Sequence, residues 1–167
     1  MLIPSRAQAD AFCGSPTTRY QRIAGILAPL MLLGSIAYIL IIWRRLPEQI
    51  PTHYNAAGEI DGYGGRGTLL IMPLIGLVGD LAMALVGRFP RSWNTGARVT
   101  VLNRTRVYRL VRDLIADLRL SMALLFGGFG LYLASLPEHF SGWVMAVLAL
   151  LILVPLLRYF LRLPRVK

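Results

Sequence analysis

Residues 23–43 read IAGILAPLMLLGSIAYILIIW, an apolar run without a single charged side chain. A helix rises about 1.5 Å per residue, so about 20 apolar residues cross the roughly 30 Å hydrocarbon layer of a bilayer. The run therefore predicts a membrane span. Three more stretches have the same character: Thr68–Gly87, Leu118–Leu136 and Trp143–Leu161. All are rich in Leu, Ile, Ala, Val and Met, and none shows the period-2 alternation of a barrel strand. In a chain of 167 residues that is 56% hydrophobic, no soluble domain fits in what remains, because soluble surfaces must stay polar.

The expected fold class is an all-α integral membrane protein with four transmembrane helices. It divides into an N-terminal segment 1–22, a four-helix domain 23–161 and a tail 162–167. Within the domain, a hairpin-like loop 46–67 joins helices one and two, and a basic segment 88–117 joins helices two and three. The first span starts too late and ends in Trp43-Arg44-Arg45 instead of a small-residue cleavage site, which argues against a cleaved signal peptide. Cys13 is the sole cysteine, so neither an intrachain disulfide nor a thiolate cluster is expected. It has no apolar run before it, which argues against lipidation.

The net charge of +10 is unevenly placed. Arg6, Arg19 and Arg22 precede span one, seven arginines lie between Arg88 and Arg112, and Arg158, Arg162, Arg165 and Lys167 close the chain. Fourteen of the eighteen basic residues thus fall on one side, against Arg44, Arg45 and Arg66 on the other. Basic loops stay cytoplasmic, so both termini are expected inside, with Leu46–Gly67 and the turn Pro137–Gly142 outside. The expected location is the bacterial cytoplasmic membrane, with multiple passes. Trp43, Tyr54, Tyr63 and Trp143 would form an outer aromatic belt, and Trp93, Tyr108 and Tyr159 an inner one.

Within the basic segment, Val107, Leu110, Val111, Leu114 and Leu118 recur at helical spacing, with Arg106, Arg109 and Asp113 on another face. This predicts an amphipathic helix at the membrane surface, running into span three, with an Arg109–Asp113 pair four residues apart. Anionic lipids are the expected partner of this segment, with a protein partner as the alternative. No nucleic-acid motif is present.

Asp80 lies thirteen residues into span two. An acid at that depth costs about 2.5–3.5 kcal/mol on insertion scales, so it must face protein or water. Gly76, Ala84 and Gly87 share its helical face and permit close helix approach. Arg119, at the inner end of the antiparallel third span, is within reach as its partner. A structural acid and an ion-coupling acid are both readings of Asp80.

The loop LPEQIPTHYNAAGEIDGYGGRG at 46–67 is the other unusual stretch. Pro51 keeps Ile50 extended. Asn55-Ala-Ala-Gly58 reads as a turn with Gly58 at positive φ, Asp61-Gly62 as a second turn, and Gly64-Gly65 as a loosening of the chain before span two. His53, Glu59, Asp61 and His139 share this side, but their spacing matches no metal-ligand motif. Neither a catalytic constellation nor a cofactor motif is present, and no enzyme activity is expected.

The series Leu46-Pro47, Ile50-Pro51, His53-Tyr54-Asn55, Gly58, Asp61, Gly62 and Gly64 resembles the signature of the domain of unknown function 1648, and Arg66 stands where that family carries a basic residue. The domain occurs alone and as the first part of SdpI-type toxin-immunity proteins. The resemblance implies a short stand-alone form, with a sensor, immunity or regulatory interaction role at the outer face and an external peptide or protein as partner. The candidate binding residues are Pro51, His53, Asn55, Gly58, Asp61, Gly62 and Gly64, and the candidate intramembrane residues are Asp80 and Arg119. A small carrier or ion-coupled subunit using Asp80 is the alternative.

Overall fold

In a computed structural model, residues 16–166 are described, apart from the side chain of Arg91. Arg6, Cys13 and Lys167, named above, lie outside them. Among the described residues, four helices are long and apolar enough to cross a membrane. Helix α1 runs Arg19–Ile42 and α2 runs Ile71–Val86. Helix α3 runs Arg104–Ala134 with a π-helical stretch at Ala123–Gly128, and α4 runs Gly142–Arg162. Between α1 and α2, strands β1 (Gln49–Tyr54) and β2 (Ile60–Gly65) form an antiparallel hairpin.

Each helix end has a local cause. Thr18 caps α1 by accepting from the Gln21 backbone N–H while the Gln21 side chain accepts from Thr18 N–H, a reciprocal capping box. A short 3-10 turn, Arg66–Leu70, feeds α2, so the regular helix begins three residues later than the apolar run at Thr68 suggests. The Leu85–Arg88 and Val86–Phe89 turns close α2, and Pro90 opens a 3-10 turn that cannot continue it.

Helices α1, α2 and α3 meet around Ala28, Leu32 and Ala123. Two glycines set how closely α2 approaches: a Cβ on Gly76 would stand 2.6 Å from Leu32 Cδ2 and Phe126 Cβ, and one on Gly79 would stand 2.5 Å from Met122 Sδ. The outer surfaces of all four helices are apolar and exposed, the condition of side chains solvated by lipid.

The basic segment departs from expectation. The amphipathic stretch does begin at Arg104 and continues without a break into the span, making α3 31 residues long. Its apolar face is covered by protein instead of lying on a membrane surface. Val107, Tyr108, Leu110 and Val111 are buried, and Tyr108, Leu110 and Val111 form one core with Trp93, Ala97, Tyr159 and Leu163. Trp93, Tyr108 and Tyr159 are thus core residues, not an interfacial belt. Tyr159 donates to the Thr95 carbonyl at 2.8 Å, and Trp93 Nε1 to the Val86 carbonyl at 2.8 Å, which ties the 87–103 segment to α2 and α4. The expected Arg109–Asp113 salt bridge does not form among the described residues; Asp113 instead accepts from Gln21 Nε2 at 2.7 Å.

Candidate functional site: the hairpin face and the intramembrane pair

The hairpin stands on an apolar floor of Ile39, Leu46, Ile50, Leu69 and Ala134. Ile50, just before Pro51, is fully buried, so the extended geometry that Pro51 enforces points one strand residue into the bundle. Arg66 locks the base: its guanidinium lies 5.2 Å from the Trp43 ring centroid and reaches the Trp43 and Leu46 carbonyls at 3.3 and 3.4 Å.

The register explains the position of His53. Pro51 faces Tyr63, His53 faces Gly62 and Tyr54 faces Ile60. Thr52 is therefore extra on β1 and Asp61 extra on β2, so a bulge flanks His53 on each side. The unpaired Asp61 turns its carboxylate to His53, with Nδ1 and Oδ1 2.5 Å apart. Gly62 makes room, since a Cβ there would stand 2.9 Å from His53 Cβ. Gly64 does the same against Thr52 Cγ2 at 2.9 Å. Asp61-Gly62 is thus a strand irregularity and not a second turn, and Gly64-Gly65 are strand residues paired with Ile50 and Gln49. The turn signal failed here because Asp-Gly serves a bulge as readily as a reversal.

The reversal itself is Asn55–Glu59. Asn55 Oδ1 accepts from the backbone N–H groups of Ala57 and Glu59 at 2.9 and 3.0 Å, and its Nδ2 donates to Glu59 Oε2 at 3.1 Å. Gly58 takes φ +83°, and a Cβ there would meet the Phe140 carbonyl at 2.4 Å. The Phe140 N–H donates to the Gly58 carbonyl at 2.8 Å, so the hairpin tip is stitched to the α3–α4 connection. Tyr54 adds to this seam: its hydroxyl donates to the Pro137 carbonyl at 2.9 Å and its ring packs 5.3 Å from Phe140. Burial pushes the Tyr54 hydroxyl above its ordinary pKa, which keeps it protonated as a donor. A cavity of about 490 Å³ opens beside the tip, between His53, Asn55, Gly58, His139 and Met145. Among the described residues, no three His, Cys, Asp or Glu side chains gather as a metal site.

The second locus is intramembrane. Arg119 Nε meets Asp80 Oδ1 at 2.7 Å and its Nη2 meets Oδ2 at 2.9 Å, a bidentate pair between α3 and α2. Pro29, inside α1, has no N–H to give the carbonyl of Gly25 four residues back. Arg119 Nη2 donates to that carbonyl at 3.1 Å. One guanidinium thus satisfies an acid and an orphaned backbone acceptor on two different helices. Sequence reasoning missed the counterpart on the other side of α3. Asp117 is buried, accepts from the Tyr20 hydroxyl, and holds Arg158 Nη1 at 3.1 Å from each oxygen, joining α3 to α1 and α4. Asp117 and Arg119 are two residues apart, hence roughly 200° around the helix, and so serve opposite neighbours. The readable signal was an acid on the apolar side of an amphipathic helix.

A family model described as domain of unknown function 1648 matches residues 30–77, from mid-α1 through the hairpin into α2. An uncharacterized protein of Archaeoglobus fulgidus is 30% identical over 146 residues, covering 78% of this chain and 80% of the relative. The chain belongs to the domain of unknown function 1648 family. The family match covers the whole hairpin, including the His53–Asp61 pair and Gly58, while Asp117, Arg119 and the α3–α4 connection lie beyond it. No solved structure matches the chain.

Proposed function

We propose that this family member is a non-enzymatic recognition protein of the cytoplasmic membrane, of sensor or immunity type, whose hairpin binds an external peptide or protein. On this reading both termini lie in the cytoplasm and the hairpin outside, a bacterial multi-pass arrangement supported by the fourteen basic residues on the termini side.

The observation that carries this reading is the presentation of the His53–Asp61 pair. The two side chains are 71% and 41% exposed, although the backbone beneath them is held on three sides, by Arg66, by Tyr54 and by the Gly58–Phe140 seam. Asp61 engages Nδ1 and leaves Nε2 as the imidazole's other hydrogen-bonding atom. A preorganised polar pair on a rigid platform beside a cavity is what recognition requires, because little ordering entropy remains to be lost on binding. The ion-coupled reading of Asp80 draws less support, since both carboxylate oxygens are already engaged by Arg119.

Cells carrying the parent or His53→Ala, challenged with a panel of secreted peptide toxins, test the proposal. The parent should protect against at least one peptide. His53→Ala should express and melt normally yet lose protection tenfold or more. Absence of protection by the parent, or full protection by His53→Ala, would contradict it.

A further inference from the structure

The exposed large apolar side chains of the described residues fall on the four spanning helices, where lipid accounts for them, with four exceptions: Tyr63 on the hairpin, and Phe89, Val101 and Leu102 in the 87–103 segment. Leu102 is 92% exposed and Val101 71%. The turn that carries them is hydrogen-bonded within itself. Asn103 Oδ1 accepts from Thr100 N–H at 2.7 Å, Asn103 Nδ2 donates to the Arg98 carbonyl at 3.0 Å, and Arg104 N–H donates to the Thr100 carbonyl at 3.0 Å. This turn presents two aliphatic side chains as a fixed knob.

Measured along α3, the knob lies well beyond the end of the helix bundle. Asp117 meets Tyr20 in the first turn of α1, so α3 is already level there with the end of the bundle. From Asp117 back to Arg104 the helix extends about 20 Å further. Over that length its apolar face is occupied by Trp93, Ala97, Tyr159 and Leu163 and is not available to acyl chains. The sequence on either side of the knob carries charge of one sign. Between Arg88 and Arg112 there are seven arginines and no acidic residue, and Arg98, Arg106 and Arg109 are exposed.

From these facts we infer that the Val101–Leu102 knob and its arginine collar form a docking surface for a soluble protein bearing an acidic rim around an apolar socket. Charge complementarity selects an anionic partner. The projecting aliphatic pair favours a protein over nucleic acid, whose phosphate backbone would leave it unused. The reach of α3 past the end of the bundle favours a protein over a lipid surface. The inference does not depend on what the hairpin binds.

The full chain in zwitterionic nanodiscs provides the test. The probes are a synthetic helical peptide with glutamates on one face and leucines on the other, the same peptide with serine in place of leucine, phosphatidylglycerol vesicles, and a double-stranded DNA oligomer. The Glu/Leu peptide should bind saturably and at least tenfold more tightly than the Glu/Ser peptide. Val101→Ser with Leu102→Ser should remove that difference without lowering Tm, since neither side chain is in the core. Equal binding of both peptides, no saturable binding of either, or a preference for the vesicles or the DNA that the double variant leaves unchanged would overturn the inference.

Discussion

Arg119 donates from Nη2 to the carbonyl of Gly25 across 3.1 Å, and that carbonyl is the one left without a helical donor by Pro29. In water such a defect is repaired by solvent; in a bilayer core each unsatisfied group costs several kcal/mol, so another part of the protein must repair it. The same guanidinium holds Asp80, so α1, α2 and α3 converge on one side chain. Gly25 makes the approach possible, because a Cβ there would stand 3.1 Å from Arg119 Nη1.

Removing one partner of this pair should be worse than removing both. Asp80→Leu strands a buried guanidinium and is expected to destabilise by about 3–5 kcal/mol. Asp80→Leu combined with Arg119→Leu removes the stranded charge and should recover part of that loss, leaving chiefly the Gly25 carbonyl unsatisfied. Asp80→Asn, nearly isosteric and still an acceptor, should cost less than either. Tm in detergent across the four proteins checks the order; a double variant less stable than Asp80→Leu would contradict it.

Asp117 should hold α4 to the bundle. Asp117→Ala leaves Tyr20 and Arg158 without their shared acceptor, and the expected loss is about 1–3 kcal/mol, at the lower end because Arg158 is partly exposed. A pair of spin labels on α1 and α4 should report a longer or broader distance distribution in the variant. An unchanged distribution with unchanged Tm would show that the Asp117 cluster is dispensable.

Gly58 should tolerate no side chain. At φ +83° a Cβ is strained and also meets the Phe140 carbonyl, so Gly58→Ala should cost about 1–3 kcal/mol. Its loss should fall on the hairpin seam, read as faster amide exchange of Phe140, while the amides of α2 and α3 stay protected.

The Tyr54 bond carries a pH dependence of known sign. Its folded pKa is raised above the ordinary 10.0 by burial first. The stability it contributes is therefore full below 10.0 and disappears as pH rises through the higher folded value. Tyr54→Phe should cost about 0.5–1.5 kcal/mol at neutral pH, and the gap between parent and variant should close in strong alkali. A gap that is constant with pH would mean that folding does not raise the pKa of this hydroxyl.

The apolar runs were readable because a bilayer imposes length and composition on any span, and Ile23–Trp43 meets both. The α3 extension was readable as a helix from Val107, Leu110 and Val111, but not its covering, since Trp93 and Tyr159 contact it only after the chain folds. Asn55 and Gly58 announced their turn because one conformation demands those residue types. Asp61-Gly62 misled because the same dipeptide serves a bulge, and only the register tells them apart. Asp80 drew notice by its depth in a span. Asp117 sits at a span's margin, where an acid costs little, and its partners lie 97 and 41 positions away.

The central claim is that the hairpin and the basic segment 88–117 face opposite sides of the membrane, hairpin outward. With Cys13 replaced by Ala, single cysteines at Ala57 and Leu102 can be probed in intact cells with a membrane-impermeant maleimide. Ala57→Cys should label in intact cells, and Leu102→Cys only after lysis. Labelling of both from the same side, or of Leu102→Cys alone from outside, would contradict the account.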